Sequence, residues 1–258
     1  MGGLIVLSQY MPEWVALAAL VFARVGAVIS VAPAFGTPIL PRRVRLGAAI
    51  AFTIIVLPAV ANTITVPETT NTLAAALMVE SVIGLAMGLS LRMILMALQI
   101  AGNIAAQSAS LAQVLGPSAL PDPMPAIGTI LVMGAFALAF AAGLHVKLAV
   151  GLIRSYDLVS FNTLPESGEL AEWARHASTE SIRIGFALSS PFLLAALAYN
   201  LALGAINKAM PQLMVVFIGA PAITAAGLIL MLLAAPLILT LWVGHLDRAI
   251  LAPFAVRP

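Results

Sequence analysis

Leu73-Ala-Ala-Ala-Leu-Met-Val-Glu80-Ser-Val-Ile-Gly84-Leu-Ala-Met-Gly88-Leu-Ser-Leu-Arg92-Met-Ile-Leu-Met-Ala-Leu-Gln99-Ile-Ala-Gly102-Asn103-Ile-Ala-Ala106 is apolar almost throughout. It exceeds the roughly 20 residues that a membrane-spanning helix needs. In lipid, backbone N–H and C=O groups find no water, so such a run satisfies them internally as a helix. At helical spacing Ser81, Gly84, Gly88, Arg92, Gln99, Asn103 and Ala106 fall near one face, with Leu85, Leu89, Met93 and Met96 offset from it. That face begins small, passes a charge and becomes rich in amides.

Five further apolar stretches cover 14–40, 44–61, 126–153, 182–206 and 213–244. The chain is 62% hydrophobic and only 9% charged, so it cannot coat a water-facing surface, where a soluble domain uses about 25%. A mean hydropathy of +1.10 agrees. The fold class expected is an all-α membrane protein with about six apolar helices. With no linker or charge run to divide it, 1–258 is read as one domain.

The connections carry the breakers. Pro33, Gly36, Pro38 and Pro41 part the first two stretches, and a Thr- and Asn-rich segment follows Pro58. Gly116-Pro117-Ser-Ala-Leu-Pro121-Asp122-Pro123-Met124-Pro125 cannot be helical throughout, because each proline removes a donor and constrains its predecessor. The polar connection 154–181 contains an expected short surface helix from Ser167 to Ser181, with Ser167 as its cap. Pro58, Pro191, Pro221 and Pro236 lie inside apolar stretches, where each is expected to bend or interrupt a helix.

The net charge of +2 rests on too few bases for nucleic-acid binding. Arg42, Arg43 and Arg45 form the one basic cluster, a pattern that sets membrane orientation. With Lys208 they favour odd-numbered connections in the cytoplasm, whereas Arg154, Arg175 and Arg248 pull the other way. The first positive charge is Arg24, so no cleavable signal is expected. Cysteine is absent, which excludes disulfides and thiolate chemistry. No His-Glu-x-x-His, Walker A or Gly-x-Ser-x-Gly pattern occurs, and His145, His176 and His245 are isolated in the sequence. No enzyme and no cofactor are expected.

Polar groups within apolar stretches are costly and mark function by default. Gly84-x-x-x-Gly88 has the small-residue spacing that lets two helix backbones approach. For Gln99, Asn103 and Gln107, packing and a wet cavity both stand. Arg24 is either a packed, paired side chain, with Glu80 a partner by charge, or a pathway residue. Lys147 and Arg154 lie where snorkelling to the interface is open to them. Interior prolines also keep a small-solute transporter open, with Arg92, Gln99 and Asn103 around its site.

Three blocks resemble the FliR family of flagellar export proteins and their type III secretion counterparts. The first is Phe22-Ala-Arg24-Val-Gly26, Ala32-Pro33-Ala-Phe35-Gly36 and Pro41-Arg-Arg-Val-Arg45-Leu-Gly-Ala. The second is Glu80-Ser-Val-Ile-Gly84-Leu-Ala-Met-Gly88, continuing to Gln99-Ile-Ala-Gly102. The third is Asn200-Leu-Ala-Leu-Gly204-Ala-Ile-Asn207-Lys-Ala-Met-Pro211-Gln212, then Phe217-Ile-Gly219-Ala-Pro221. The third is the most specific, since it sets polar residues, glycines and prolines at fixed spacings in featureless apolar sequence.

The resemblance implies a bacterial inner-membrane protein of the flagellar basal body. It implies an export gate assembled with FliP-type and FliQ-type subunits, associated with FlhB-type and FlhA-type proteins, through which unfolded substrates leave. Helices 1–181 would be FliP-like and 182–258 a FliQ-like hairpin, kinked and tilted in a stack partly raised out of the bilayer. Segment 107–125 would be the pore plug, formed from Gln107, Ser108, Ser110, Leu111, Gln113, Val114, Leu115, Asp122, Pro123 and Met124. Gly84, Gly88, Asn207, Pro211, Gln212, Gly219 and Pro221 would serve subunit packing. The chain departs from many relatives in carrying Ser108-Ala-Ser-Leu-Ala-Gln-Val-Leu115 where they have an aromatic Gly-Leu-Gly-Phe-like run. Met214 likewise stands where many have Asn.

Overall fold

A computed structural model describes residues 2–36, 40–67, 69–108, 126–209 and 215–254, with backbone alone for 2–12, 126–127, 203, 207 and 215–224. Its helices are α1 (Gly2–Val31), α2 (Arg42–Val60), α3 (Thr70–Ser108), α4 (Ala126–Ala141), α5 (Leu144–Leu158), α6 (Ser167–Ala209) and α7 (Val215–Leu251). A single 3-10 turn, Ala61–Thr63, follows α2. No strand occurs among the described residues. Five helices are long and apolar enough to cross a membrane, or six spans if the broken pair α4 and α5 counts as one. The chain is an all-α membrane protein.

Three boundaries differ from the hydropathy reading. The stretch 126–153 is divided at Gly143, whose φ of 79° ends one helix and starts the next. Glycine enters this left-handed region without the Cβ penalty other residues meet. The surface helix expected at 167–181 does not stop there; α6 runs on for 43 residues. No Gly or Pro interrupts 178–184, and Glu180 and Arg183 pair one turn apart across the junction. Finally, α2, α6 and α7 continue through their interior prolines. At Pro191 the reason is visible. The proline has no N–H for the carbonyl of Ala187, and the Ser190 hydroxyl donates to that carbonyl instead, at 2.8 Å.

The chain forms two compact units. The first comprises residues 1–93, 142–177 and 246–258. Here α1 buries Leu17, Leu20, Val21, Arg24, Val25, Val28 and Ile29, a three-and-four spacing that makes one continuous stripe. α2 lays Ala49, Phe52, Val56 and Val60 against it. The α3 side of this stripe is closed by two glycines. A Cβ on Gly84 would collide with the carbonyl oxygen of Arg24 and stand 2.8 Å from Ala27 Cβ. One on Gly88 would lie 3.0 Å from the Val28 oxygen. α5 meets the end of α7 in the same manner, since a Cβ on Gly151 would stand 2.5 Å from the Ile250 carbonyl oxygen.

The second unit comprises 94–141 and 178–245. Its centre is Trp242, fully buried, whose indole N–H donates to the Ile94 carbonyl at 2.8 Å. Also buried in this unit are Leu98 and Ala101 of α3, Leu131 and Ala135 of α4, Ile184 and Leu188 of α6, and Ile238 of α7. The outer faces of α6 and α7 carry Leu194, Leu197, Leu201, Leu228, Leu232, Leu233 and Leu237 in the open. Soluble monomers rarely expose so many large apolar side chains along neighbouring turns, a pattern that marks surfaces covered by lipid or another protein.

Candidate functional site

Within the second unit, α3 and α4 are the stems from which segment 109–125 leaves and to which it returns. They touch backbone to backbone. A Cβ on Gly102 would collide with Gly128 Cα and stand 3.2 Å from Gly128 N. A Cβ on Gly128 would meet Asn103 Oδ1 and the Gly102 C and Cα atoms at an ordinary contact distance, 3.7 Å. The crossing therefore depends on glycine at 102 rather than at 128. Helices that already touch need only about 2–8 residues to be joined, and 109–125 is well beyond that. Such surplus length is characteristic of segments with work beyond connection.

The stem itself is polar towards its end. Gln107 is exposed, and Ser108 is half-buried, its hydroxyl donating to the Ile104 carbonyl at 2.8 Å. Asn103 is half-buried, yet its Oδ1 is shielded from solvent and accepts no hydrogen bond from the described residues. A buried acceptor without a donor is costly enough to require a reason. Ser110, Leu111, Gln113, Val114, Leu115, Asp122, Pro123 and Met124 lie outside the described residues, as do Pro211 and Gln212. Asn207 stands on α6, and Gly219 and Pro221 lie in the first two turns of α7.

Of the polar residues on α3, Gln99 is half-buried and Arg92 is exposed. Neither described cavity is lined by Arg92, Gln99 or Asn103. One, of 540 Å³, lies among Leu158, Val159, Pro165, Leu170, Trp173 and Phe254. The other, of 500 Å³, lies between 65–72 and Phe161. Among the described residues no three His, Asp or Glu side chains gather as metal ligands.

The first unit is organised around a buried ion pair. Arg24 Nε donates to Glu80 Oε2 at 2.6 Å and Nη2 to Oε1 at 3.1 Å, with neither side chain exposed. This two-point match of guanidinium and carboxylate is the strongest geometry such a pair adopts. The remaining guanidinium protons go to the Ser155 carbonyl at 3.1 Å, the Ser155 hydroxyl at 3.3 Å and the Val159 carbonyl at 3.3 Å. The Tyr156 ring lies 3.8 Å from Arg24 Cζ. Asn162 N–H completes the shell by donating to Glu80 Oε1 at 3.0 Å. Arg24 is thus the paired side chain, and the cluster ties α1, α3, α5 and the turn after α5 together.

Sequence reasoning left several of these partners unnamed. Ser155, Val159 and Asn162 contribute backbone groups or an ordinary hydroxyl, which carry no signal in the sequence. Gly102 stood within a family block, but its partner Gly128 did not. Trp242 does carry a signal in the sequence, since an indole in an apolar run needs an acceptor.

The profile of the bacterial export proteins, family 1, matches residues 15–249. Flagellar biosynthetic protein FliR of Caulobacter vibrioides is 32% identical over 229 residues, covering 88% of this chain and 91% of that protein. The protein of the same name from Escherichia coli is 32% identical over 242 residues, covering 90% and 89%. That of Aquifex aeolicus is 29% identical over 236 residues, covering 87% of each. The buried Arg24–Glu80 pair and the Gly84 and Gly102 crossings all fall inside the matched span, and the chain belongs to the FliR family, the bacterial export proteins, family 1.

Proposed function

We propose that this chain is a subunit of the flagellar protein-export gate in the bacterial inner membrane, at the flagellar basal body. It builds the substrate pore with FliP-type and FliQ-type subunits, next to FlhB-type and FlhA-type proteins. Segment 107–125 is its plug, which unfolded substrates displace. The observation that carries this reading is the closed stem at Gly102 and Gly128, from which a segment far longer than a connector departs. The open leucine faces of α6 and α7 support it, because an assembly of several subunits covers them. Subunit-facing roles for Asn207, Pro211, Gln212, Gly219 and Pro221 belong to the same proposal; Gly84 and Gly88, expected to share that role, instead pack against α1 of the same chain. Energy for transport comes from elsewhere, since the chain carries no nucleotide-binding motif.

The test is a deletion of 110–118 in the assembled complex, with ion conductance of the membrane as the readout. The deletion is expected to raise conductance while partners still co-purify. Unchanged conductance in an intact complex rejects the plug. A chain that is stable alone and moves a small solute after reconstitution rejects the export gate in favour of a transporter.

A further inference from the structure

Asn103 brings into the α3–α4 stem a polar atom that the closed stem leaves unsatisfied. Its Oδ1 is shielded from solvent and accepts no hydrogen bond from the described residues. It stands 3.7 Å from where a Cβ on Gly128 would lie, against the first turn of α4. The hydroxyl of Ser108, on the last turn of α3, donates to the Ile104 carbonyl instead. Beside Asn103, Gly102 lies so close to Gly128 that a Cβ on it would collide with Gly128 Cα. The two helices thus meet through bare backbone, with an amide oxygen shut in at the edge of their contact.

The place of that atom gives its penalty a direction. While the helices touch, Oδ1 has lost its water and gained no donor in return, the unfavourable way to bury an acceptor. When they part, water donates to it and the penalty disappears. It therefore falls on the closed stem alone and works against the glycine contact that closes it. An amide kept for packing would find a donor, as buried polar side chains generally do. A leucine at 103, branched at the same atom, would fill the place without the penalty.

Building on the export-gate reading, we propose that Asn103 is an opening bias built into the gate, its unsatisfied amide oxygen destabilising the closed α3–α4 stem. The stem is a two-state element, and this one atom shifts its balance towards separation because only the parted helices let water reach it. Gly102 acts in the opposite sense, by allowing the close approach.

The gap beside Gly128 supplies the test. A serine hydroxyl there lies one bond beyond the Cβ, within reach of the roughly 2.7 Å that a hydrogen bond between oxygens prefers. It serves whichever end of the amide faces it, since a hydroxyl both donates and accepts. Amide hydrogen exchange of residues 103–107 and 129–133 is measured on the full chain, alone and with co-purifying partners. Relative to Gly128→Ala, Gly128→Ser is expected to slow exchange about three- to tenfold, the effect of one net hydrogen bond. Asn103→Leu is expected to slow it as well, and Gly128→Ser added to Asn103→Leu should bring no further gain. Faster exchange in Asn103→Leu, or a Gly128→Ser effect that persists without Asn103, overturns the proposal. In cells, both variants are expected to lower secretion of export substrates about threefold or more at equal recovery of partners, as a shift towards the closed stem requires. Unchanged secretion beside slowed exchange overturns the role in opening. Failure of the unaltered chain to recover any gate subunit refutes the export-gate reading itself, a different result from a change confined to Asn103 and Gly128.

Discussion

Arg24 and Glu80 lie 56 positions apart in the chain and meet in two parallel hydrogen bonds, neither side chain touching solvent. Every remaining guanidinium proton is also taken up by Ser155 or Val159. A buried charge left alone is far more costly than a buried pair, so the two residues act as a unit.

Replacing either partner is therefore expected to be severe. Arg24→Ala or Glu80→Ala should each lower stability by about 3–5 kcal/mol. Arg24→Ala combined with Glu80→Ala should cost less than the sum of the two single changes. Thermal unfolding in detergent, arranged as a double-mutant cycle, checks this; simple additivity would contradict the coupling.

The α1–α3 crossing predicts an order among glycines. Gly84→Ala meets the Arg24 carbonyl and Ala27, and should destabilise by about 1–3 kcal/mol. Gly88→Ala, with its nearest atom at 3.0 Å, should cost less. Gly47 on α2 has nothing within 4 Å of an added Cβ, so G47A should be neutral or stabilising by up to about 1 kcal/mol. Melting temperatures of the three variants give the ranking directly.

At the stem, Gly102→Ala is expected to push α4 away from α3, while Gly128→Ala is tolerated because its added methyl finds ordinary contact distances. The difference should appear as about 1–3 kcal/mol of stability and, in the assembled complex, as raised conductance for G102A alone. Equal behaviour of the two variants would contradict the one-sided crossing.

Trp242 offers a separation of packing from hydrogen bonding. Trp242→Phe keeps most of the ring but leaves the Ile94 carbonyl without its side-chain donor, for a loss of about 1–2 kcal/mol. Trp242→Ala opens a cavity and should lose about 3–5 kcal/mol. Proteolytic sensitivity of the purified chain, read as a function of temperature, distinguishes the two.

Much of the architecture was readable without coordinates. Among the described residues each of the six apolar stretches is mostly helical, and α1 ends just before Pro33–Gly36, whose proline and glycine oppose continuation. The split at Gly143 was not readable, since an isolated glycine in an apolar helix is usually tolerated. Continuation of α6 through 178–184 was missed for the opposite reason: polarity marked a boundary, but helical hydrogen bonding is indifferent to polarity when no breaker intervenes. The ends of the candidate plug segment were recognisable by composition and by resemblance, whereas their mutual contact was not.

By itself the sequence determined the solvent and hence the secondary structure. A chain with so few charges must bury its surface in lipid or protein, and there a long unbroken apolar run satisfies its backbone internally as a helix. It also determined which residues were unusual, among them Arg24, Glu80, Arg92 and the paired glycines. Only the tertiary structure decided their partners. Glu80 is on the same helix as Arg92, yet it pairs with Arg24. The physical reason is the close approach of α1 at Gly84 and Gly88, which turns that side of α3 inward. Arg92, eight residues after Gly84, lies roughly 80° further round the helix, and so remains outside. Periodicity fixes angles within one helix; which angle faces a neighbour depends on packing between segments that the sequence keeps far apart.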